Sequence, residues 1–108
     1  LQDVLPGVLH HHERFDGRGY PAGISGKGIP MMARIIALAD TFDAMSSNRS
    51  YRTALPREQV LAEIRKCAGA QFDPDLVGAF VALDFSEYDR MVATAAAQQV
   101  YTAPKTAA

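Results

Sequence analysis

The chain has 108 residues, 48% of them hydrophobic and 21% charged, with a formal net charge of −1. That length suits one domain with one core, and the composition excludes a wholly disordered chain, which needs low hydrophobicity and high net charge. The near-zero charge excludes a generic nucleic-acid binder, no apolar run approaches the ~20 residues that span a bilayer, and no basic start followed by an apolar stretch marks a secretory leader.

The one cysteine, Cys67, leaves no internal disulfide and fits a cytoplasmic protein. Inside an expected helix it reads as a small packed side chain rather than a reactive thiol. The charge is unevenly spread. Arg14 to Arg57 carries seven Lys/Arg against three Asp/Glu, and Glu58 to Met91 carries three against seven. The first stretch therefore suits an anion, unless the two stretches are simply solvated surfaces of opposite sign.

In chain order, Leu1 to Glu13 is short and apolar and ends in His10, His11 and His12. Val4, Leu5, Val8 and Leu9 recur at helical spacing. Arg14 to Gly28 holds five glycines and Pro21, which predicts a long loop of turns. Pro30 to Ser47 is the clearest helix, with proline preorganised at its start. Met31, Met32, Ile35, Leu38, Ala39, Phe42 and Met45 share one face, and Ala33, Ala37 and Ala44 the other, so this helix should be buried on most sides. Asn48 to Leu55 reads as a polar connection.

Pro56 opens a further helix to about Ala68, with Gly69 as its stop. Asp73 and Pro74 read as the cap and first turn of the next. Ser86, with Asp89 three residues on, opens a last helix through about Gln99. Residues 101–108 read as a frayed, disordered tail. With no alternating pattern anywhere, the fold class is all-α, a partial bundle of about five helices.

Several residues are able to carry chemistry. Two adjacent histidines, His11 and His12, suit neutral-imidazole metal ligation, and a solvated helix end is the plainer alternative. Glu13 follows as a candidate ligand, base or orienting group. Asp40 falls on the alanine face of its helix, where a buried carboxylate needs a cation as partner. Asp43, one turn on, suits a salt bridge or cap better than a ligand role. Arg49 and Arg52, three apart, are spaced to converge on one phosphate, or else to sit favourably at a helix C-terminus. Ser46, Ser47 and Asn48 add short donors beside them. Tyr20 is an aromatic in a glycine loop, fit to stack on a ligand or to plug the loop onto the core.

The run from His11 to Pro21 reads H-H-E-x-x-D-G-x-G-Y-P. It resembles the HD-GYP family. The stretch Ile29-Pro30…Ala33-Arg34-Ile35…Ala39-Asp40-Thr41-Phe42-Asp43, then Arg49-Ser50-Tyr51-Arg52 and Phe72-Asp73-Pro74, is similar to the family's later blocks, so the likeness covers about Val4 to Phe80. Ser50 stands where the family usually has proline, which should loosen that turn.

The resemblance implies an all-α fold of the HD superfamily and hydrolysis of the bacterial second messenger cyclic di-GMP to pGpG or GMP by two or three iron or manganese ions. It makes His11, His12 and Asp40 metal ligands, and makes Arg49, Arg52 and Tyr20 substrate-binding residues. Asp16, Gly17, Gly19, Tyr20 and Pro21 become the GYP loop, which in some relatives docks a GGDEF-domain protein.

His10 matches a variable position and takes no role. The family's first half also supplies a Glu/His pair, the His-Asp dyad and one more histidine, whereas here every histidine lies in His10–His12. The expectation is therefore that residues 1–100 are the C-terminal part of such a domain, inactive alone, with the metal cluster incomplete or absent. The alternative is a non-catalytic module that docks a protein or senses a ligand through the GYP loop.

Overall fold

A computed structural model describes residues 4–102 as five α-helices. These are α1 (Val4–His10), α2 (Met31–Ser46), α3 (Arg57–Lys66), α4 (Pro74–Val81) and α5 (Ser86–Thr102), with a short 3-10 turn at Gly26–Gly28. Among the described residues there is no strand, only isolated bridges at Arg49/Arg52 and Ala68/Phe72. The all-α expectation holds. Residues 103–108, where most of the expected tail falls, lie outside the described residues.

Helix starts follow the prolines. Pro30 and Pro56 sit at the N-caps of α2 and α3, and Pro74 is the first residue of α4. Asp73 caps α4 by accepting the Asp75 N–H at 2.9 Å. Gly69, at φ +88°, turns the chain just after α3. At α5 the expected capping box of Ser86 and Asp89 is replaced. Asp84 accepts both the Ser86 N–H (2.9 Å) and its hydroxyl (2.6 Å), and Asp89 instead pairs with Arg57.

The core joins Leu38 and Phe42 of α2, Val60 and Ile64 of α3, Phe72, and Val77 of α4. The Phe42 ring stacks on Phe85 at 5.0 Å and meets Phe80 and Tyr88 edge-on. Arg57 closes this aromatic cluster, its guanidinium 4.6 Å from the Phe85 centroid and bonded to Asp89 at 2.6 Å. Beyond Tyr88, the residues of α5 from Asp89 to Gln98 are all exposed.

α1 packs closely on α2 because residue 7 is glycine. A methyl group there would lie 2.6 Å from Met32 Cγ and 2.9 Å from its Cβ. The start of α2 is tied to the start of α4 by Arg34, which donates to Asp73 at 2.7 Å and to the Ile29 carbonyl at 2.9 Å. Asp73 is buried in that ion pair, and the Arg34 side chain is 9% exposed.

Two expectations are corrected. The opening helix ends at His10, so His11 and His12 lie in a turn. And α2 is not buried on most sides: Met31, Ile35, Ala39, Asp40 and Asp43 are exposed, because α1, α3 and α4 together cover only part of its circumference.

Candidate functional site

The histidine turn, the glycine loop and the middle of α2 enclose a cleft of about 390 Å³ whose walls include His11, His12, Tyr20, Asp40, Thr41 and Gln71. α1 ends at His10, and the Glu13 N–H donates back to the His10 carbonyl at 3.0 Å. This turn replaces the helical fan of side chains with two rings whose centroids are 4.0 Å apart. His11 Nδ1–H donates to the Val8 carbonyl at 2.6 Å. That bond orients the ring and turns Nε2 toward Asp40 Oδ2, 3.8 Å away.

Asp40 does lie on the alanine face, beside Ala37 and Ala44 in the cleft wall. Its side chain is nonetheless 67% exposed, at the rim rather than buried. The reason is the open flank of α2: nothing described covers this face past the histidine turn.

Glu13 is the buried charge of the site, and its work is structural. Its carboxylate accepts the Ala22 N–H at 2.7 Å, the Ile24 N–H at 3.1 Å and His10 Nδ1–H at 3.1 Å. Burial pushes its pKa up, but these donors more than offset that and hold it below the usual carboxylate range. The loop thus folds around one carboxylate.

Gly19 is the closest approach. A Cβ on it would overlap the backbone of His12, Glu13 and Arg14. The Tyr20 N–H donates to the His12 carbonyl at 3.3 Å, and the Tyr20 ring stacks on His12 at 5.0 Å and 15°. The Tyr20–Pro21 peptide is cis. Asp16 holds Arg14 through two bonds, at 3.0 and 3.2 Å, and accepts the Arg18 N–H. Its pKa is lowered chiefly by Arg14 and then by that N–H. The loop is fastened to the α3–α4 connection by Phe15 and Asp16 N–H groups donating to the Gln71 and Ala70 carbonyls.

The two arginines of the 49–52 turn serve different ends. Arg49 and Arg52 exchange backbone bonds at 2.7 and 3.2 Å, so the turn closes with Ser50 in place. The Arg52 guanidinium then caps α2, donating to the Ala44 carbonyl at 2.9 Å, Met45 at 3.4 Å and Thr53 at 2.9 Å. Arg49 is 40% exposed, with Asp43 Oδ2 at 3.9 Å. Ser47 donates to the Asp43 carbonyl and Asn48 accepts the Ala54 N–H, so both shape the turn.

The cation surplus of the first half is largely met by the acids of the second: Lys27 pairs with Asp75, Arg34 with Asp73 and Arg57 with Asp89. Sequence reasoning missed these pairs, and no local signal marks partners up to 48 residues apart. Cys67 is half-buried and unpaired by any disulfide.

Residues 1–76 match the HD domain family. The chain belongs to that family. With its H-H-E-x-x-D-G-x-G-Y-P run, this HD domain is of the HD-GYP kind. It is 45% identical over 77 residues to a cyclic di-GMP phosphodiesterase of Thermotoga maritima, covering 71% of this chain and 21% of that protein. It is 48% identical over 74 residues to a cyclic di-GMP phosphodiesterase response regulator of Xanthomonas campestris, covering 68% and 20%. A crystal structure of a cyclic GMP-AMP specific phosphodiesterase from Vibrio cholerae matches with a TM-score of 0.61 and 33% identity, over 72% of this chain and 17% of that one. The HD-domain chain thus spans about a fifth of the length of these relatives.

Metal binding is implied by the family. The donor types are right: the free ring nitrogen of His11, a second imidazole and a carboxylate line one cleft. Their number is small. Among the described residues, no group of three or more His, Cys, Asp or Glu converges closely enough to hold an ion by itself. Nor, among the described residues, is any helix long and apolar enough to cross a membrane.

Proposed function

We propose that this chain forms one wall of the active site of a metal-dependent cyclic di-GMP phosphodiesterase. The observation that carries the reading is His11 Nε2 facing Asp40, its Nδ1 tied to the Val8 carbonyl, in a cleft walled by the His12–Tyr20 stack. His11, His12 and Asp40 are the residues that would hold iron or manganese. When bound, such an ion polarises a phosphodiester and lowers the pKa of a coordinated water.

The chain's own residues do the rest. The Val8 carbonyl orients His11. Tyr20 offers a flat ring at the cleft wall for a guanine base to stack on. Arg49 is held at Asp43, one helical turn from Asp40, where it supplies a cation for a phosphate. Arg52 fixes the turn that carries Arg49. Glu13 folds the loop and is spent as a ligand.

Titration with Mn²⁺ and with cyclic di-GMP tests the assignment. The open site is expected to take Mn²⁺ only weakly, and His11→Ala and Asp40→Ala are each expected to weaken that binding at least tenfold further with the helical circular dichroism unchanged. Arg49→Ala is expected to leave Mn²⁺ binding intact and to weaken cyclic di-GMP about tenfold, the worth of one charge-assisted bond. Unchanged Mn²⁺ affinity in both ligand variants overturns the reading. Because three side chains under-fill an octahedral ion, the chain alone is expected not to turn cyclic di-GMP over. Mn²⁺-dependent hydrolysis that vanishes in His12→Ala contradicts that expectation.

A further inference from the structure

The first turn of α5 lies outside every motif named above, yet one of its side chains reaches the arginine turn. Tyr88 Oη–H donates to Asp43 Oδ1 at 3.2 Å, across 45 residues of sequence. The Ser47 hydroxyl, whose proton goes to the Asp43 carbonyl at 2.6 Å, packs 3.3 Å from the same oxygen. With Oδ1 held by Tyr88 and Ser47 Oγ packed beside it, Oδ2 is left facing Arg49 Nη2 at 3.9 Å. Among the described residues Asp43 is the ionic partner of Arg49, whose guanidinium makes no hydrogen bond there.

The Tyr88 ring is itself fixed. It packs edge-on against Phe42 at 5.1 Å and lies 5.9 Å from the Arg57 guanidinium. Arg57 in turn bonds Asp89, the next residue. The aromatic cluster under α5 therefore ends in a hydroxyl aimed at the residue that holds Arg49.

We propose that Tyr88 is a positioning residue: through Asp43 it sets the direction of the Arg49 guanidinium and makes the start of α5 part of the phosphate-binding edge. The placement of Arg49 stands on the geometry. Its consequence for affinity rests on the phosphodiesterase reading above.

Two measurements on the full chain separate the two. The first is ¹⁵N relaxation at Arg49 Nε, which needs no ligand. Order at that nitrogen is expected to fall in Tyr88→Phe, a variant that keeps the ring packing and loses only the hydroxyl. Equal order in wild type and Tyr88→Phe overturns the positioning role. The second is a double-mutant cycle read by cyclic di-GMP titration. Tyr88→Phe is expected to weaken binding three- to tenfold in the wild-type background and to have no further effect in Arg49→Ala. Additive losses overturn the route through Arg49 and leave Tyr88 as packing only. If Arg49→Ala binds as wild type does, or wild type does not bind, the phosphate reading fails, and the relaxation result still decides whether Tyr88 positions Arg49.

Discussion

Gly19 shows how one missing Cβ holds a site together. Its backbone lies against that of His12, Glu13 and Arg14, so a methyl group has nowhere to go. Gly19→Ala is expected to cost about 1–3 kcal/mol, the usual price of overpacking, and to pull Tyr20 off His12. Thermal unfolding reads the first effect, and the loss of ring-current shifts on the His12 protons reads the second. A melting point equal to wild type contradicts the packing argument. Much at this scale is legible in sequence. The pairing of His11 and His12, the place of Asp40 on the alanine face and the glycine loop all follow from spacing. The work of Glu13 does not, because its partners are backbone N–H groups of a loop whose path no periodicity describes. Nor does the division of labour between Arg49 and Arg52. Cap and phosphate clamp make the same demand on residue type, and only the fold shows which carbonyls Arg52 reaches.

Between elements, the buried Arg34–Asp73 pair is the connection most sensitive to change. Removing one partner of a buried ion pair leaves the other uncompensated, so Arg34→Met is expected to destabilise by roughly 3 kcal/mol. Chemical denaturation measures it. The same pair sets an acid limit. Burial raises the Asp73 pKa, but Arg34 and the Asp75 N–H outweigh that, and the folded value lies below the unfolded one. The group therefore stabilises the fold fully above the unfolded value near pH 4, and this contribution is lost as pH falls through the lower folded value. A pH series of melting points is expected to drop more steeply below about pH 4 in wild type than in Asp73→Asn. Element starts were legible because Pro30, Pro56 and Asp73-Pro74 act locally. The end of α1 was not, since the apolar spacing of Val4 to Leu9 runs into the histidines without a glycine or proline to stop it.

For the molecule as a whole, the body is α1 to α4 with the first turn of α5, and the rest of α5 extends away from it. Met91→Ala is expected to melt within about 2 °C of wild type, because that side chain, beyond the first turn of α5, is 64% exposed. Phe42→Ala removes a core ring and is expected to cost about 3–5 kcal/mol. A large loss in Met91→Ala would show that this stretch of α5 is packed after all. The remaining surface is more apolar than an isolated helical body requires: Leu5 and Leu9 are 69% and 60% exposed. That part of a bundle leaves apolar faces bare follows from the resemblance; which stripe is bare does not, because hydrophobic spacing does not say what covers it. The crossed ion pairs, Lys27 with Asp75, Arg34 with Asp73 and Arg57 with Asp89, bear on how the chain reaches this state. Before any helix has docked, the coil is a two-block polyampholyte whose basic block attracts its acidic one, which favours collapse in the native pairing over alternatives. Screening shortens the reach of that attraction from ~10 Å at 0.1 M salt to ~3 Å at 1 M. Stopped-flow refolding should therefore slow as sodium chloride rises, while unfolding, governed by pairs already in contact, changes less.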